Sequence, residues 1–361
     1  MKYIFVIQGE GRGHLTQAIS LSQLLRSAGH EVVEVLVGRC SNREIPPFFT
    51  SKIGCPVVKF DSPSIDYGKA GKSGNMFSTV FSNIAPSKLR MWLKSMRVIA
   101  EHVNSEKVDI VINFYEFLMG FTQMFHSIKP PVITLAHQFI VDHPDYAHYS
   151  KSDKGQRLLR LNNSFCARGS KKILVLSMYE MPPCERKKIW VVPPLLRGEI
   201  FDIEPKSENY ILGYMLNPAY LDEVEEWRRT TSDPCDVHLF WDKKDAPQVV
   251  EQMPGVWMHR IDDVEFLRYM TNCKAYITTA GFESVCEAMY LGKPTLMIPA
   301  HFEQRINSID AHGAGAGVVS EEYNISKLIE SIPHYSADTP KFRAWVDSAR
   351  EQFIYHLTNL D

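Results

Sequence analysis

Short β-branched runs alternate with helix-length amphipathic stretches along almost the whole chain, a pattern that admits few folds other than parallel sheets flanked by helices. In the first half, strand patterns fall at Tyr3–Gln8, Glu31–Val37, Val57–Phe60, Val108–Phe114, Val132–Ala136, Ile173–Leu176 and Trp190–Val192. Helical periodicity lies between them, clearest over Leu15–Ala28, Pro86–Asn104 and Lys154–Cys166. From Pro193 to Asn209 the periodicity lapses into a stretch containing Pro, Glu and Lys, where a domain linker is expected. A second alternating set follows, with strands from Tyr210–Met215 through Val318–Val319 and helices including Ala219–Arg229, Val264–Met270, Phe282–Leu291 and Gln304–His312. A last helical pattern, Lys341–Leu357, closes the chain. At 361 residues, two domains are expected: 1–200 together with a closing helix over 340–358, and 207–338. Two α/β domains of similar size, each with a crevice at its strand ends, imply a ligand cleft between them.

Charge is uneven. Residues 1–200 hold 26 Lys and Arg against 16 Asp and Glu, and the remainder 14 against 26, within a net charge of −2. Either the first half faces an anionic partner, or surface composition has drifted. The near-neutral total and the lack of a recognised module argue against nucleic-acid binding. The seven cysteines show no C-x-x-C spacing, so neither a disulfide framework nor a zinc site is indicated. The opening apolar run, Tyr3–Ile7, is too short for a signal-peptide core, and no run approaches the ~18 apolar residues of a membrane span. A cytoplasmic protein is expected.

Gly9-Glu10-Gly11-Arg12-Gly13-His14 follows the first strand and opens a helix. Gly9, Gly11 and Gly13 allow a tight turn and close approach of a ligand to the helix N-terminus. The spacing departs from the dinucleotide fingerprint G-x-G-x-x-G, because His14 stands three residues after Gly11, and a dehydrogenase is disfavoured. A histidine there is placed at the sheet's carboxyl edge, and its ordinary pKa near ~6.5 suits it to take a proton from a hydroxyl. Thr278-Thr279-Ala280-Gly281-Phe282-Glu283-Ser284 reads as strand, glycine turn and helix start. Such a helix N-terminus offers unpaired N–H groups and a positive dipole end to a diphosphate. Ser284 adds a hydroxyl, and Glu287, three residues on along the same face, has the chemistry to accept two bonds from a ribose diol. No Asp-x-Asp occurs, so the usual carboxylate pair for a diphosphate-bound divalent ion is missing and no metal site is expected.

With Gly13-His14, Gly29-His30-Glu31-Val32, and Gly281, Ser284, Glu287, Gly292, Pro294, Pro299, Gln304 and Asn307 at their spacing, the chain resembles the nucleotide-sugar-dependent glycosyltransferases of the GT-B architecture. These enzymes have two Rossmann-like domains facing across a cleft. The chain looks most like the UDP-glycosyltransferases and the peptidoglycan enzyme that adds N-acetylglucosamine to a lipid-linked muramyl precursor. The resemblance implies that the closing helix returns to the N-terminal domain and that no cofactor is needed. It implies a diphosphate site at Gly281, Phe282, Ser284 and Thr279, with Glu287 on the ribose. Glu303 and Gln304 would meet the donor sugar, and the Ile261 backbone the nucleobase. His14 would be the base of a direct, inverting displacement.

Some positions depart from the family pattern. Thr279 stands where many members carry histidine, and Phe114 where plant-type members carry the acid that orients the base; Asn113 and Glu116 are the nearest polar substitutes. Met215-Leu216-Asn217-Pro218 replaces a glycine-rich loop. The acceptor is undetermined, a lipid-linked precursor and an anionic glycan being the alternatives. Pro86–Asn104 carries Lys88, Arg90, Lys94 and Arg97 among Leu89, Trp92 and Leu93, which fits either an anionic membrane surface or a helix packed on its own sheet. Phe117, Met119, Phe121, Met124 and Phe125 suit a core better than an acceptor pocket. His137, His143 and His148 fall on a loop after a strand, at a spacing unlike a zinc site. Two rival readings remain: an epimerase or hydrolase of the same fold, and a non-catalytic sugar-nucleotide-binding protein.

Overall fold

The computed structural model describes residues 1–39, 44–63, 86–105, 107–146, 154–215, 220–243, 245–300 and 302–360. The chain divides into two compact units, Met1–Gly198 with Asp347–Asp361, and Glu199–Val346.

The first unit contains β1 (Lys2–Gln8), α1 (Arg12–Ser27), β2 (Glu31–Arg39), α2 (Pro47–Lys52), β3 (Val57–Asp61), α3 (Pro86–Val103), β4 (Ile110–Phe114) and α4 (Phe117–Phe125). It continues with β5 (Val132–Leu135), α5 (Lys154–Cys166), β6 (Lys172–Leu176) and β7 (Ile189–Val192). The strands form one parallel sheet in the order β3-β2-β1-β4-β5-β6-β7. Strand β4 is buried at every residue, as expected of a parallel strand covered by helices on both faces. Met96, Ile99 and Val103 of α3, at spacings of three and four, pack over Ile4, Val6 and Val111. Each such burial contributes roughly 1.5–3 kcal/mol.

The second unit contains β8 (Tyr210–Met215), α6 (Tyr220–Thr230), β9 (Asp236–Trp241), β10 (Val249–Met253), β11 (Val256–Arg260), α7 (Asp263–Asn272), β12 (Ala275–Thr278) and α8 (Phe282–Tyr290). It ends with β13 (Thr295–Met297), α9 (Phe302–Gly313), β14 (Gly317–Val319), α10 (Ile325–Ser331) and α11 (Thr339–Asp347). The strand order is β10-β11-β9-β8-β12-β13-β14, parallel except for β10, which pairs antiparallel with β11.

The expected closing helix over 340–358 is two helices, α11 and then α12 (Ala349–Thr358), meeting at Ser348. In α12, Phe353 and Leu357 are fully buried, and Tyr3 Oη donates to the Leu357 carbonyl at 3.3 Å.

Strand order reverses between β1 and β4 in the first unit and between β8 and β12 in the second. Open α/β sheets bind ligands beyond the carboxyl ends of strands at such reversals. A non-glycine residue is held at positive φ after a strand at each reversal: Tyr115 (φ 58°) after β4 and Ala280 (φ 63°) after β12. Side chains rarely adopt this conformation, and where it persists the surroundings must enforce it.

Candidate functional site

In the first unit, the Gly9 N–H donates to the Gly38 carbonyl at 2.8 Å, and a Cβ at Gly9 would lie 2.4 Å from that oxygen, so only glycine fits. Gly11 is the N-cap of α1 in extended conformation, with nothing within 4 Å of where its Cβ would be. Gly13 is the second residue of α1 and His14 the third. His14 is 8% exposed, and its ring stacks on Tyr115 with centroids 5.8 Å apart. Its Nδ1 lies 3.1 Å from Gln17 Oε1. Since that oxygen only accepts, Nδ1 carries the proton and Nε2 presents a lone pair. Burial lowers the His14 pKa to about 4, outweighing the opposing bond from Gln17. The imidazole is therefore neutral at physiological pH.

Neither Asn113 nor Glu116 orients His14. Asn113 Oδ1 accepts from the Glu116 N–H, and its Nδ2 donates to the Cys166 carbonyl at 2.9 Å. Glu116 caps α4 by accepting from the Leu118 N–H at 3.0 Å, and also accepts from Ser62 Oγ at 2.6 Å. Its other oxygen, Oε2, is buried, lies against Gly38, and has no partner among the described residues. Burial pushes this carboxyl up to about 7. Gln17 and Tyr115, which contact His14, were not among the residues read from the sequence. Gln17 was legible, since a residue three positions on shares the face of His14; Tyr115 follows β4, about a hundred residues away in sequence, and spacing gives no signal of that contact.

In the second unit, Thr279, Ala280 and Gly281 join β12 to α8. Gly281 is the N-cap of α8, which has no side-chain cap. Among the described residues its N–H makes no hydrogen bond. Phe282 opens the helix and is buried. Ser284 Oγ donates to the Gly281 carbonyl at 3.1 Å, closing the turn from within. Glu287 is buried one turn further on. From α9, Gln304 Nε2 donates to Thr279 Oγ1 at 3.2 Å, while its Oε1 accepts from the Ala300 N–H at 2.9 Å. Asn307 Nδ2 donates to the Ala280 carbonyl at 3.1 Å. Glu303 lies half-buried in the first turn of α9.

Ile261 follows β11, which two strands, β9 and β8, separate from β12 in the sheet, and gives its N–H to the Trp241 carbonyl at 2.9 Å. Its neighbour Asp262 caps α7, accepting from Val264 and Glu265. Thus Thr279, Gly281, Phe282, Ser284 and Gln304 gather about one turn, Glu287 lies a helical turn further along α8, Glu303 precedes Gln304 on α9, and Ile261 belongs to a separate strand end of the same unit. The loop after β8, residues 216–219, lies outside the described residues, as does His148. His143 is tied to the main chain at both nitrogens, Nε2 to the Pro182 carbonyl at 2.8 Å and Nδ1 to the Asp145 N–H at 3.2 Å; His137 Nδ1 bonds the Leu176 carbonyl at 2.7 Å. Among the described residues no three His, Cys, Asp or Glu side chains gather to hold a metal ion.

The sequence model of the family described as "Glycosyl transferase family 1" matches residues 1–333. NDP-glycosyltransferase YjiC of Bacillus subtilis (strain 168) is 31% identical over 94 residues, which is 26% of this chain and 24% of that protein, so the match spans about a quarter of that relative. The UDP-N-acetylglucosamine–N-acetylmuramyl-(pentapeptide) pyrophosphoryl-undecaprenol N-acetylglucosamine transferase of Porphyromonas gingivalis (strain ATCC BAA-308 / W83) is 23% identical over 331 residues, covering 83% of this chain and 76% of that one. Among solved structures, the calicheamicin glycosyltransferase CalG4 aligns over 99% of this chain and 98% of its own, with a TM-score of 0.64 and 15% identity. The chain belongs to glycosyl transferase family 1 and is a glycosyltransferase built on the GT-B fold.

Proposed function

We propose that the chain moves a sugar from a nucleoside-diphosphate donor, UDP-linked, to an acceptor hydroxyl by a single inverting displacement that needs no metal ion. One observation carries this reading: the α8 N-terminus follows a strained, pinned turn, has no side-chain cap, and keeps the Gly281 N–H unbonded among the described residues. Such an end attracts an anion through unpaired N–H groups and the helix dipole. The printed names of the B. subtilis and P. gingivalis relatives, an NDP-glycosyltransferase and a UDP-N-acetylglucosamine transferase, support a nucleotide-activated donor.

In this reading the turn at Thr279, Gly281, Phe282 and Ser284 stabilises the departing diphosphate, the role a metal would otherwise fill. Glu287 holds the ribose diol, the Ile261 main chain faces the base, and Glu303 meets sugar hydroxyls. Gln304 has both ends of its amide occupied, so it reaches the sugar only by exchanging one of those bonds. His14 Nε2 takes the acceptor proton as the oxygen attacks the anomeric carbon and the bond to the diphosphate breaks. It is neutral and so free to accept a proton, burial makes it a weaker base than an ordinary imidazole, and the Gln17 bond keeps the lone pair on Nε2.

The test is UDP release from UDP-glucose and UDP-N-acetylglucosamine, with water or a simple phenol as acceptor. His14→Ala should lose about 10²- to 10⁴-fold in turnover, EDTA should have no effect, and the product should carry the inverted anomeric configuration. A His14→Ala enzyme with full turnover would exclude the base role.

The basic, half-exposed α3 supports one further reading of the acceptor. Leu89 and Leu93 are 50% and 52% exposed, and Arg90, Lys94 and Arg97 are exposed beside them. Leu89 and Leu93 are one turn apart, so they share a face that suits an anionic lipid surface and hence a lipid-linked acceptor.

A further inference from the structure

Ala280 is buried and held at φ 63°, a conformation alanine rarely adopts. Its carbonyl accepts from Asn307 Nδ2 at 3.1 Å. All described peptide bonds are trans, so the Gly281 N–H points opposite to the Ala280 carbonyl. Fixing that carbonyl toward α9 therefore fixes the Gly281 N–H away from α9. This is the donor that lacks a partner among the described residues. Gln304, one turn before Asn307 on α9, holds the preceding residue through Thr279 Oγ1. Two amides on one face of α9 thus brace consecutive residues of the turn.

Asn307 is an expensive choice for packing alone. It is buried, and its Oδ1 has no hydrogen-bond partner among the described residues. An apolar residue would leave no orphaned acceptor, whereas only a donor can hold the Ala280 carbonyl. What the side chain supplies is the bond to the Ala280 carbonyl.

We propose that Asn307, assisted by Gln304, is a positioning residue that locks the Thr279–Ala280–Gly281 turn so that the Gly281 N–H is aimed at the donor's diphosphate before the donor arrives. The inference rests on the reading of this turn as the diphosphate site. Asn307 touches no substrate; it acts through the orientation of one peptide group. Without it, Ala280 is free to leave the left-handed region and the N–H turns with it. Glycine occupies that region at little cost, so a glycine at 280 needs the brace less.

The test is a double-mutant cycle between Asn307→Ala and Ala280→Gly, read by calorimetric titration with UDP and by urea unfolding. Asn307→Ala should weaken UDP binding about tenfold, as loss of one well-placed bond does. In the Ala280→Gly background the same change should cost about threefold or less, and the urea midpoints should be non-additive in the same sense. Asn307→Asp, which keeps the shape and loses the N–H donor, serves where the alanine variant is too unstable to titrate. Unchanged UDP affinity in Asn307→Ala, or the same loss in both backgrounds, overturns the proposal. If the wild-type protein binds none of UDP, dTDP or GDP, the diphosphate reading falls. The urea cycle then still decides the brace: coupling upholds it and additivity overturns it.

Discussion

Glu116 illustrates how a single residue at the first strand reversal carries both structure and a pH dependence. Burial raises its pKa from 4.5 to about 7, while its bonds from Ser62 and Leu118 oppose the shift. Between those two values the folded protein keeps a proton that the unfolded chain has lost. Stability from this group is thus full below pH 4.5, falls as pH rises toward 7, and is lost above it, a change of about 3 kcal/mol. Glu116→Gln cannot titrate. The stability difference between wild type and this variant should shift by roughly that amount against the wild type from pH 5 to pH 8, measured by urea unfolding; a pH-independent difference would contradict the assignment. The carboxyl was visible in the sequence only as a polar residue near a strand end. Its burial depends on Gly38 of β2 and on Ser62, the residue after β3. The helical positions of His14 and Glu287 were legible, the first from its place at the end of the glycine loop and the second from its spacing to Ser284. Asn307 was legible as a motif position but not as a brace, since its partner Ala280 lies 27 residues away.

Among elements, most helices and strands were read from the sequence, the edge strands β3, β7 and β14 included, whereas strand β10 and helix α2 were not. Lys154–Cys166 falls at the expected residues, and β4 differs from its expected range only at the start. Strand β10 was missed: it is an edge strand, its residues are largely exposed, and nothing in Val249–Met253 alternates against a core. Helix α2 was missed because six residues are too few to show a period. The break at Ser348 was invisible, since neither Gly nor Pro marks it. Helix α3 carries a prediction of its own. Its inner face is filled by Met96, Ile99 and Val103, yet Leu89 and Leu93 remain half-exposed next to Arg90 and Lys94. If this face meets lipid, the protein should co-sediment with phosphatidylglycerol vesicles and not with phosphatidylcholine vesicles. Leu89→Ser with Leu93→Ser should weaken that binding several-fold. Equal recovery with both lipids, or no effect of the serines, would leave α3 as a helix that serves its own sheet alone.

Across the whole molecule, each sheet reverses strand order once, and each reversal holds a non-glycine residue at positive φ beside the proposed chemistry. The two-unit architecture follows from the repeated alternation of strand and helix, and no helix among the described residues is long and apolar enough to cross a membrane. The functional assignment depends most on the second unit, where the proposed diphosphate, ribose and sugar residues come from the turn after β12, from α8 and from α9. The most direct measurement is a thermal shift of the intact protein with UDP, dTDP and GDP, using Glu287→Ala as the control. UDP at about a hundred times its Kd should stabilise the wild type by about 2.7 kcal/mol and raise its Tm by a few degrees. Glu287→Ala should lose most of that shift. A folded wild-type protein whose Tm moves with none of the three nucleotides would contradict the donor site, and with it the proposed transfer from a nucleotide-linked sugar.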